Sequence, residues 1–133
     1  MPFTFKAEGG YLMPPSFGPL VDRKVCHYGD VTTLAILYVS YKDALAALLP
    51  EPLQPPDEPV VTIYCQVCRQ VDFMAGRGYN IVGVNLSAVF AGKKDRSVWN
   101  FAAVLWENDI IPIITGRELL GAPKLYADIP DPH

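Results

Sequence analysis

Four runs rich in β-branched and aromatic residues constrain the fold of this chain most strongly. They occupy residues 31–39, 59–71, 79–90 and 98–106, and segments containing Gly, Pro or Asp separate them. Such residues favour the pleated surface of a sheet, and the tight AGKKDR segment before the last run predicts a hairpin. The first run, VTTLAILYV, is polar only near its start and is predicted to be a largely buried strand. The sequence therefore predicts an α+β fold dominated by antiparallel strands.

One short helix is predicted between the first two runs. Ser40 is a suitable N-cap, and Pro50 would end the helix after about two turns. The segment YKDALAALLPEP places four apolar residues near one face at helical spacing: Ala44, Leu45, Leu48 and Leu49. The proline-dense residues 50–59 are predicted to form an extended or turning connection. Residues 1–23 are predicted to be an ordered, Pro/Gly-rich arm of a single domain that spans residues 1–133.

Charge and hydropathy exclude several classes of partner. The formal net charge is -3 and no run of Lys or Arg is longer than a pair, so no nucleic-acid partner is expected. No apolar run reaches the roughly 18 residues needed to cross a bilayer, so no membrane partner is expected. The N-terminus lacks the basic and apolar regions of a secretion signal. An odd set of three cysteines suits a reducing compartment, which predicts the cytoplasm.

Cys65 and Cys68 form a single CxxC motif. A tetrahedral zinc site would need two further ligands, and residues three apart on a strand point to opposite faces. A thioredoxin-like role is disfavoured because TIYCQVC has a strand pattern and does not begin a helix. We therefore interpret both cysteines as structural thiols and expect no metal site.

Other catalytic motifs are incomplete. The glycines at residues 76, 78 and 92 complete no phosphate-binding loop and are interpreted as parts of turns. No GxSxG motif is present, and the chain contains only two histidines, which leaves a catalytic serine without an obvious base.

Lys124 is the residue that most clearly suggests chemistry. Its sequence neighbours are largely apolar: Leu119, Leu120, Pro123, Leu125 and Tyr126. Desolvation by such neighbours would disfavour the charged form of the lysine, and a neutral amine is a nucleophile. The alternative, which composition alone favours, is a lysine whose ammonium group extends from an apolar strand into water.

The segment GRELLGAPKLYADIP resembles the Schiff-base segment of the acetoacetate decarboxylase family, whose pattern is Gly-Arg-Glu, a short spacer and Pro-Lys. Lys124 falls at the position of the catalytic lysine. Further similar segments follow the order of the family: YLMPPSFGP, KDALAALLPEPL, GYNIVGVNLSAVFAGKKD and NDIIPIITGRE. The resemblance thus extends from about residue 11 to residue 130.

This resemblance implies a barrel-like β-sheet core with short flanking helices, oligomeric assembly, and imine chemistry on β-keto or related oxo acids without a cofactor. It makes Lys124 the expected nucleophile. Arg117 and Glu118 are weaker catalytic candidates, although a structural ion pair between these two is the alternative. The expected substrate-binding residues are Tyr79, Leu120 and Pro123.

The chain departs from the family pattern in three respects. Leu125 follows Lys124 where the acetoacetate decarboxylases proper carry a second lysine. The active-site glutamate of the family falls near Ile81, and its substrate-side arginine falls near Val31. Family members are about twice as long, so the chain is either a fragment or part of an assembly that completes the sheet. Because exposed strand edges favour pairing, a homo-oligomer is predicted.

The leading functional hypothesis is a Schiff-base lyase that acts on a small β-keto or related oxo acid through Lys124, with decarboxylation as the first reaction considered. A close variant keeps the imine and catalyses aldol or dehydration chemistry. The alternative from another class is a non-catalytic module that binds small molecules.

Overall fold

A computed structural model describes residues 4–6, 10–17 and 25–132 of the chain. The strands are β1 (Tyr28–Val39), β2 (Leu53–Gln54), β3 (Val60–Val71), β4 (Tyr79–Ala91), β5 (Arg96–Glu107) and β6 (Lys124–Tyr126). The helices are α1 (Lys42–Ala46) and α2 (Ile110–Leu120), and short 3-10 turns lie at Pro15–Phe17 and Asp72–Met74. The predicted α+β class and the four long strands are confirmed.

The strands form one six-stranded sheet in the order β1-β3-β4-β5-β6, and the short β2 pairs with the end of β4. Neighbouring strands are antiparallel except β5 and β6, which run parallel. The sheet is mainly antiparallel, as predicted, and β4 and β5 form the predicted hairpin. The term barrel-like is too strong, because in the described part of the chain β1 and β6 are free edges and the sheet stays open.

Two apolar cores lie on opposite faces of this sheet. On one face, which we call the α1 face, Leu45 and Leu49 pack on Val61, Leu86 and Ala88. On the other, the α2 face, Ile111 of α2 packs against a second group: Cys68, Val71, Met74, Tyr79 and Ile81. Successive strand residues alternate between faces, and the pairs Val61–Leu86 and Cys68–Tyr79 therefore belong to different sides.

The burial predicted for the first strand was wrong. All twelve residues of β1 are exposed, including Leu34 (68%), Ile36 (61%) and Leu37 (64%). The strand pairs only with β3, and both core clusters are built from other elements. Composition predicted a strand correctly, but burial depends on what covers the strand.

Helix α1 is shorter than predicted and begins later. It contains five residues with Tyr41 at the N-cap, which makes no side-chain cap hydrogen bond. Ser40, the predicted N-cap, instead donates its backbone N–H to the Pro59 carbonyl at 2.8 Å, which continues the pairing of β1 with β3. Of the predicted apolar face, Leu45 and Leu49 are buried, whereas Leu48 is exposed, as is Ala44.

Helix α2 was not predicted. The Asp109 side chain accepts a hydrogen bond from the Ile111 N–H at 2.9 Å and caps its start, and Gly121, with φ of 65°, ends it. Pro112 lies in the first turn, where a helix needs no backbone N–H donor. Residues 110–114 are all apolar, with no polar residue between them, so the start of the helix shows no helical alternation of apolar and polar residues in the sequence. Within the described residues, no helix is long and apolar enough to cross a membrane.

The predicted N-terminal arm is described at residues 4–6 and 10–17, and its other residues lie outside the described part of the chain. The Phe5 and Tyr11 rings meet edge to face with centroids 4.9 Å apart. The Met13 N–H donates to Glu118 Oε2 at 2.8 Å, which attaches this part of the arm to α2.

Candidate active site

The Lys124 amine lies against protein atoms rather than in bulk solvent. Lys124 is the first residue of β6 and pairs in register with Leu105, which places its side chain on the α2 face. The side chain is 13% exposed, and Nζ lies 2.8 Å from Glu107 Oε1. The amine also donates a hydrogen bond to the Pro112 carbonyl at 3.0 Å. This placement excludes a lysine that extends freely into water.

The burial of Lys124 does not come from the sequence neighbours expected to provide it. These are largely exposed: Leu119 (54%), Leu120 (80%), Leu125 (50%) and Tyr126 (68%). Leu125 follows Lys124 on a strand and therefore faces the other side of the sheet. The lysine stem lies instead against Gly116 of α2, where an added Cβ would approach Lys124 Cε to 2.5 Å and Cδ to 2.6 Å. The glycine of the Gly-Arg-Glu motif thus provides the space that the lysine occupies.

Glu107 is the functional candidate that sequence reasoning missed. It is the last residue of β5, its side chain has no solvent exposure, and it pairs in register with Ile81 of β4. Burial raises the pKa of Glu107, and the neighbouring Lys124 opposes that rise. The 2.8 Å contact is an ion pair by distance, but its angles are not those of a directed hydrogen bond. Neither carboxylate oxygen receives such a bond from any other described group.

Neutral side chains surround this pair on the α2 face. Tyr64, Cys68 and Tyr79 share the face, and burial is the main cause of the raised pKa of each. The charge of Glu107 raises all three pKa values further. These three groups therefore stay protonated and uncharged at neutral pH.

Tyr79, an expected substrate-binding residue, is 5% exposed. Its hydroxyl lies 3.1 Å from the hydroxyl of Tyr28. Tyr79 also lines a polar cavity of about 230 Å³ together with Arg69, Gly78, Asn80, Asn108 and Asp131. Asn80 and Asn108 bind the Ile129 carbonyl, so this cavity adjoins the C-terminal tail.

Of the other candidates, Arg117 and Pro123 hold the backbone around Lys124, whereas Glu118 and Leu120 do not. Arg117 donates from Nη1 to the Lys124 carbonyl at 2.8 Å, and Glu118 accepts the Met13 N–H. The two side chains thus have separate partners. The Pro123 carbonyl accepts the Leu105 N–H at 3.0 Å, which joins β6 to β5. Leu120 is 80% exposed at the end of α2.

The cysteines lie as their spacing predicted. Cys65 is exposed and Cys68 is buried, on opposite faces of β3, and both are free thiols. Among the described residues, no group of three or more His, Cys, Asp or Glu side chains is placed to hold a metal ion.

One signal for Glu107 was present in the sequence: a single acidic residue that ends the otherwise largely apolar run VWNFAAVLWE. An acidic residue at a strand end is usually exposed, because loops that follow strands lie on the surface. Only the packing of α2 over this strand end buries the carboxylate and brings it to the amine.

Comparisons with known proteins agree with this fold. The family model described as acetoacetate decarboxylase (ADC) matches residues 9–132. A structure from structural studies of acetoacetate decarboxylase is 25% identical, has a TM-score of 0.68, and is matched over 84% of this chain and 43% of that one. Acetoacetate decarboxylase from Legionella pneumophila is 22% identical with a TM-score of 0.61, over 77% of this chain and 38% of its own.

A third similar structure is the enduracididine biosynthesis enzyme MppR, complexed with the condensation product of pyruvate and imidazole 4-carboxaldehyde. It is 17% identical, has a TM-score of 0.64, and is matched over 94% of this chain and 49% of that one. The chain thus spans less than half the length of each of these structures. No curated protein sequence matches. The family model matches nearly the whole chain, and the similar structures share its sheet, so the chain belongs to the acetoacetate decarboxylase family.

Proposed function

We propose that this protein forms a Schiff base between Lys124 and the ketone of a small β-keto or related oxo acid, and that it acts as a carbon–carbon lyase. The observation that carries the proposal is the Lys124 side chain, which is 13% exposed on the α2 face and places its amine beside a fully buried carboxylate. Membership of the acetoacetate decarboxylase family supports the same chemistry.

The proposed reaction needs no metal or cofactor. The amine adds to the ketone, the resulting hydroxyl group takes up a proton and leaves as water, and a protonated imine remains. When carbon dioxide leaves, the electron pair of the broken carbon–carbon bond moves into the imine and forms an enamine. Protonation of the enamine carbon and hydrolysis of the resulting imine release the product and restore Lys124.

Arg117 is the proposed contact for the substrate carboxylate. Its side chain is exposed beside the lysine segment, and only Nη1 is used by the Lys124 carbonyl. A guanidinium group carries five N–H donors in a planar arrangement that matches a carboxylate. Glu118 remains a secondary catalytic candidate, and Tyr79, Leu120 and Pro123 remain secondary candidates for contacts with the substrate.

A second candidate function keeps the imine but forms a carbon–carbon bond or eliminates water. It is supported by the fold similarity to MppR, whose structure holds a condensation product of pyruvate. It is also supported by Ile81 and Val31, which stand where the resemblance implied a glutamate and an arginine. A third candidate is a non-catalytic module that binds oxo acids.

Borohydride trapping tests the proposal. The protein is incubated with acetoacetate, pyruvate or other oxo acids and reduced with borohydride, and the adduct is located by mass spectrometry of peptides. We expect an adduct on Lys124, its loss in Lys124→Met, and its retention in Lys94→Met, which alters an exposed lysine. Release of carbon dioxide then separates decarboxylation from aldol or dehydration chemistry.

The absence of any adduct in the wild-type protein would contradict imine chemistry. A thermal shift with oxo acids but no trapping would identify the binding module.

We also propose that β1 is covered by a second copy of the chain. Its apolar side chains are exposed on both faces of the sheet, and its outer edge has no pairing strand among the described residues. Both properties favour association. The free thiols of Cys26, Cys65 and Cys68 support the cytoplasm as the proposed location.

A further inference from the structure

We propose that Glu107 is the catalytic residue that exchanges a proton with the Lys124 amine during imine formation. This inference rests on the proposed function and assigns a role to a side chain that the Schiff-base motif does not contain. It is carried by the geometry of a fully buried carboxylate at 2.8 Å from the reacting nitrogen.

The chemistry requires a base at this position. An ammonium group has no lone pair, so Lys124 must lose a proton before it can attack a ketone. Two acceptors contact Nζ in the described part of the chain: the Pro112 carbonyl and Glu107. A backbone carbonyl does not take up a proton at neutral pH, whereas a carboxylate does so when its environment is dry. Glu107 is therefore the acceptor.

The packing of Glu107 fits a reacting group better than a structural one. Buried ion pairs stabilise a fold only when further hydrogen bonds satisfy their remaining lone pairs. Both carboxylate oxygens of Glu107 lack a hydrogen bond of good geometry from any described group. Oε2 in particular is left without a donor and can accept or deliver a proton.

The position of Glu107 also offers a replacement for a carboxylate that the family pattern has and this chain lacks. The expected glutamate is replaced by Ile81 on β4, and Glu107 lies directly opposite Ile81 on β5. The sheet thus presents a carboxylate on the same face from the neighbouring strand. Other titratable groups on this face are the hydroxyls of Tyr28, Tyr64 and Tyr79 and the thiol of Cys68, whose raised pKa values keep them protonated at neutral pH. The exposed Tyr126, which pairs in register with Glu107, is also on this face.

The proton balance is simple. One proton moves from the Lys124 ammonium to the Glu107 carboxylate, and the free amine adds to the ketone carbon as the carbonyl π bond becomes an oxyanion. A proton moves from nitrogen to that oxygen, which gives a neutral carbinolamine. Glu107 then protonates the hydroxyl group, water leaves, and the nitrogen lone pair forms the imine. The site begins as ammonium and carboxylate and ends as iminium and carboxylate, so its net charge is unchanged.

The rate of borohydride-trapped adduct formation in Glu107→Gln tests this role. We expect the rate at pH 7 to fall by at least about 100-fold, as is typical when a general acid–base group is lost. The rate of the variant should then rise about tenfold per pH unit, because only amine deprotonated by solvent reacts, whereas the wild-type profile should be flatter. Glu58→Gln, which alters an exposed residue of the proline-rich connection, should behave as wild type.

The outcomes separate the two proposals. The absence of an adduct in the wild-type protein would contradict both the proposed function and this role of Glu107. An adduct in the wild type, together with a folded Glu107→Gln that keeps the wild-type rate and pH profile, would overturn the role of Glu107 alone.

Should Glu107→Gln fail to fold, a carbon-13 titration of the wild-type protein gives the answer without that variant. Proton sharing predicts that the Glu107 carboxyl carbon and the Lys124 Cε shift over a common pH range, and that Lys124→Met abolishes the coupled step. Independent titration of the two groups would overturn the proposal.

Discussion

At the scale of single residues, the site depends on three side chains from three elements. Gly116 of α2, which has no side chain, leaves space for the stem of Lys124 of β6, and Glu107 of β5 contacts the lysine amine. Lys124 was identifiable from the sequence because its motif is contiguous. Glu107 was not identifiable in this way. It contacts Lys124, which lies 17 positions further along the chain, and no local sequence pattern indicates such a contact.

The role of Gly116 leads to a prediction about both the stability of the protein and the reactivity of Lys124. A methyl group in Gly116→Ala would lie within 2.7 Å of Lys124 Cδ, Cε and Nζ, so the flexible lysine must move away. Moving the lysine separates it from the buried Glu107, and the cost of an unpartnered buried carboxylate exceeds the roughly 1 kcal/mol by which Ala is favoured over Gly inside a helix, so the free energy of unfolding should fall. We expect the rate of adduct trapping to fall at least about tenfold, since displacement by roughly 1 Å is costly for a positioned group.

Urea denaturation and borohydride trapping measure the two effects of Gly116→Ala. Gly10→Ala is the control, because an added Cβ there meets no atom within 4 Å. Trapping at the wild-type rate in Gly116→Ala would show that the stem of Lys124 does not need this space.

At the scale of elements, α2 makes the site possible. Its first turn provides the Pro112 carbonyl, its middle provides Gly116, and its last turn provides Arg117, which binds the Lys124 backbone. The helix is held at its start by Asp109, which caps the Ile111 N–H and forms an ion pair with Arg77 at 2.9 Å.

Asp109 is therefore predicted to matter mainly as a cap. Asp109→Ala should lower the free energy of unfolding by about 1 kcal/mol, the usual loss for a capping side chain. Asp109→Asn keeps an acceptor oxygen and should cost less, because the ion-pair partner Arg77 is 58% exposed and such pairs contribute little. Urea denaturation measures both variants. Equal destabilisation by the two changes would assign the effect to the ion pair instead.

At the scale of the whole molecule, the open sheet leaves both edges and much apolar surface exposed within the described residues. β1 exposes Leu34, Ile36 and Tyr38 on the α1 face and Leu37 and Val39 on the α2 face. Single exposed apolar residues are normal on proteins, but a contiguous patch on a strand edge favours association.

Assembly is therefore predicted to depend on β1. The wild-type protein should sediment as an oligomer, and Ile36→Lys should shift it towards the monomer, because a charge at the centre of the patch must be desolvated on association. Leu48→Lys is the matched control: Leu48 is 63% exposed but follows α1, outside β1. A monomeric wild type, or an oligomer that Ile36→Lys leaves intact, would contradict an interface at β1.

The sequence by itself determined the long strands, the hairpin, the opposite faces of Cys65 and Cys68, and the lysine motif of the acetoacetate decarboxylase family. These features rest on contacts between near neighbours and on the two-residue period of a strand, so local composition carries them. Tertiary structure decided the exposure of β1, the formation of α2, the source of Lys124 burial and the identity of its partner Glu107. Each of these depends on which distant segments pack together, and burial and electrostatic environment are properties of that packing rather than of any single segment.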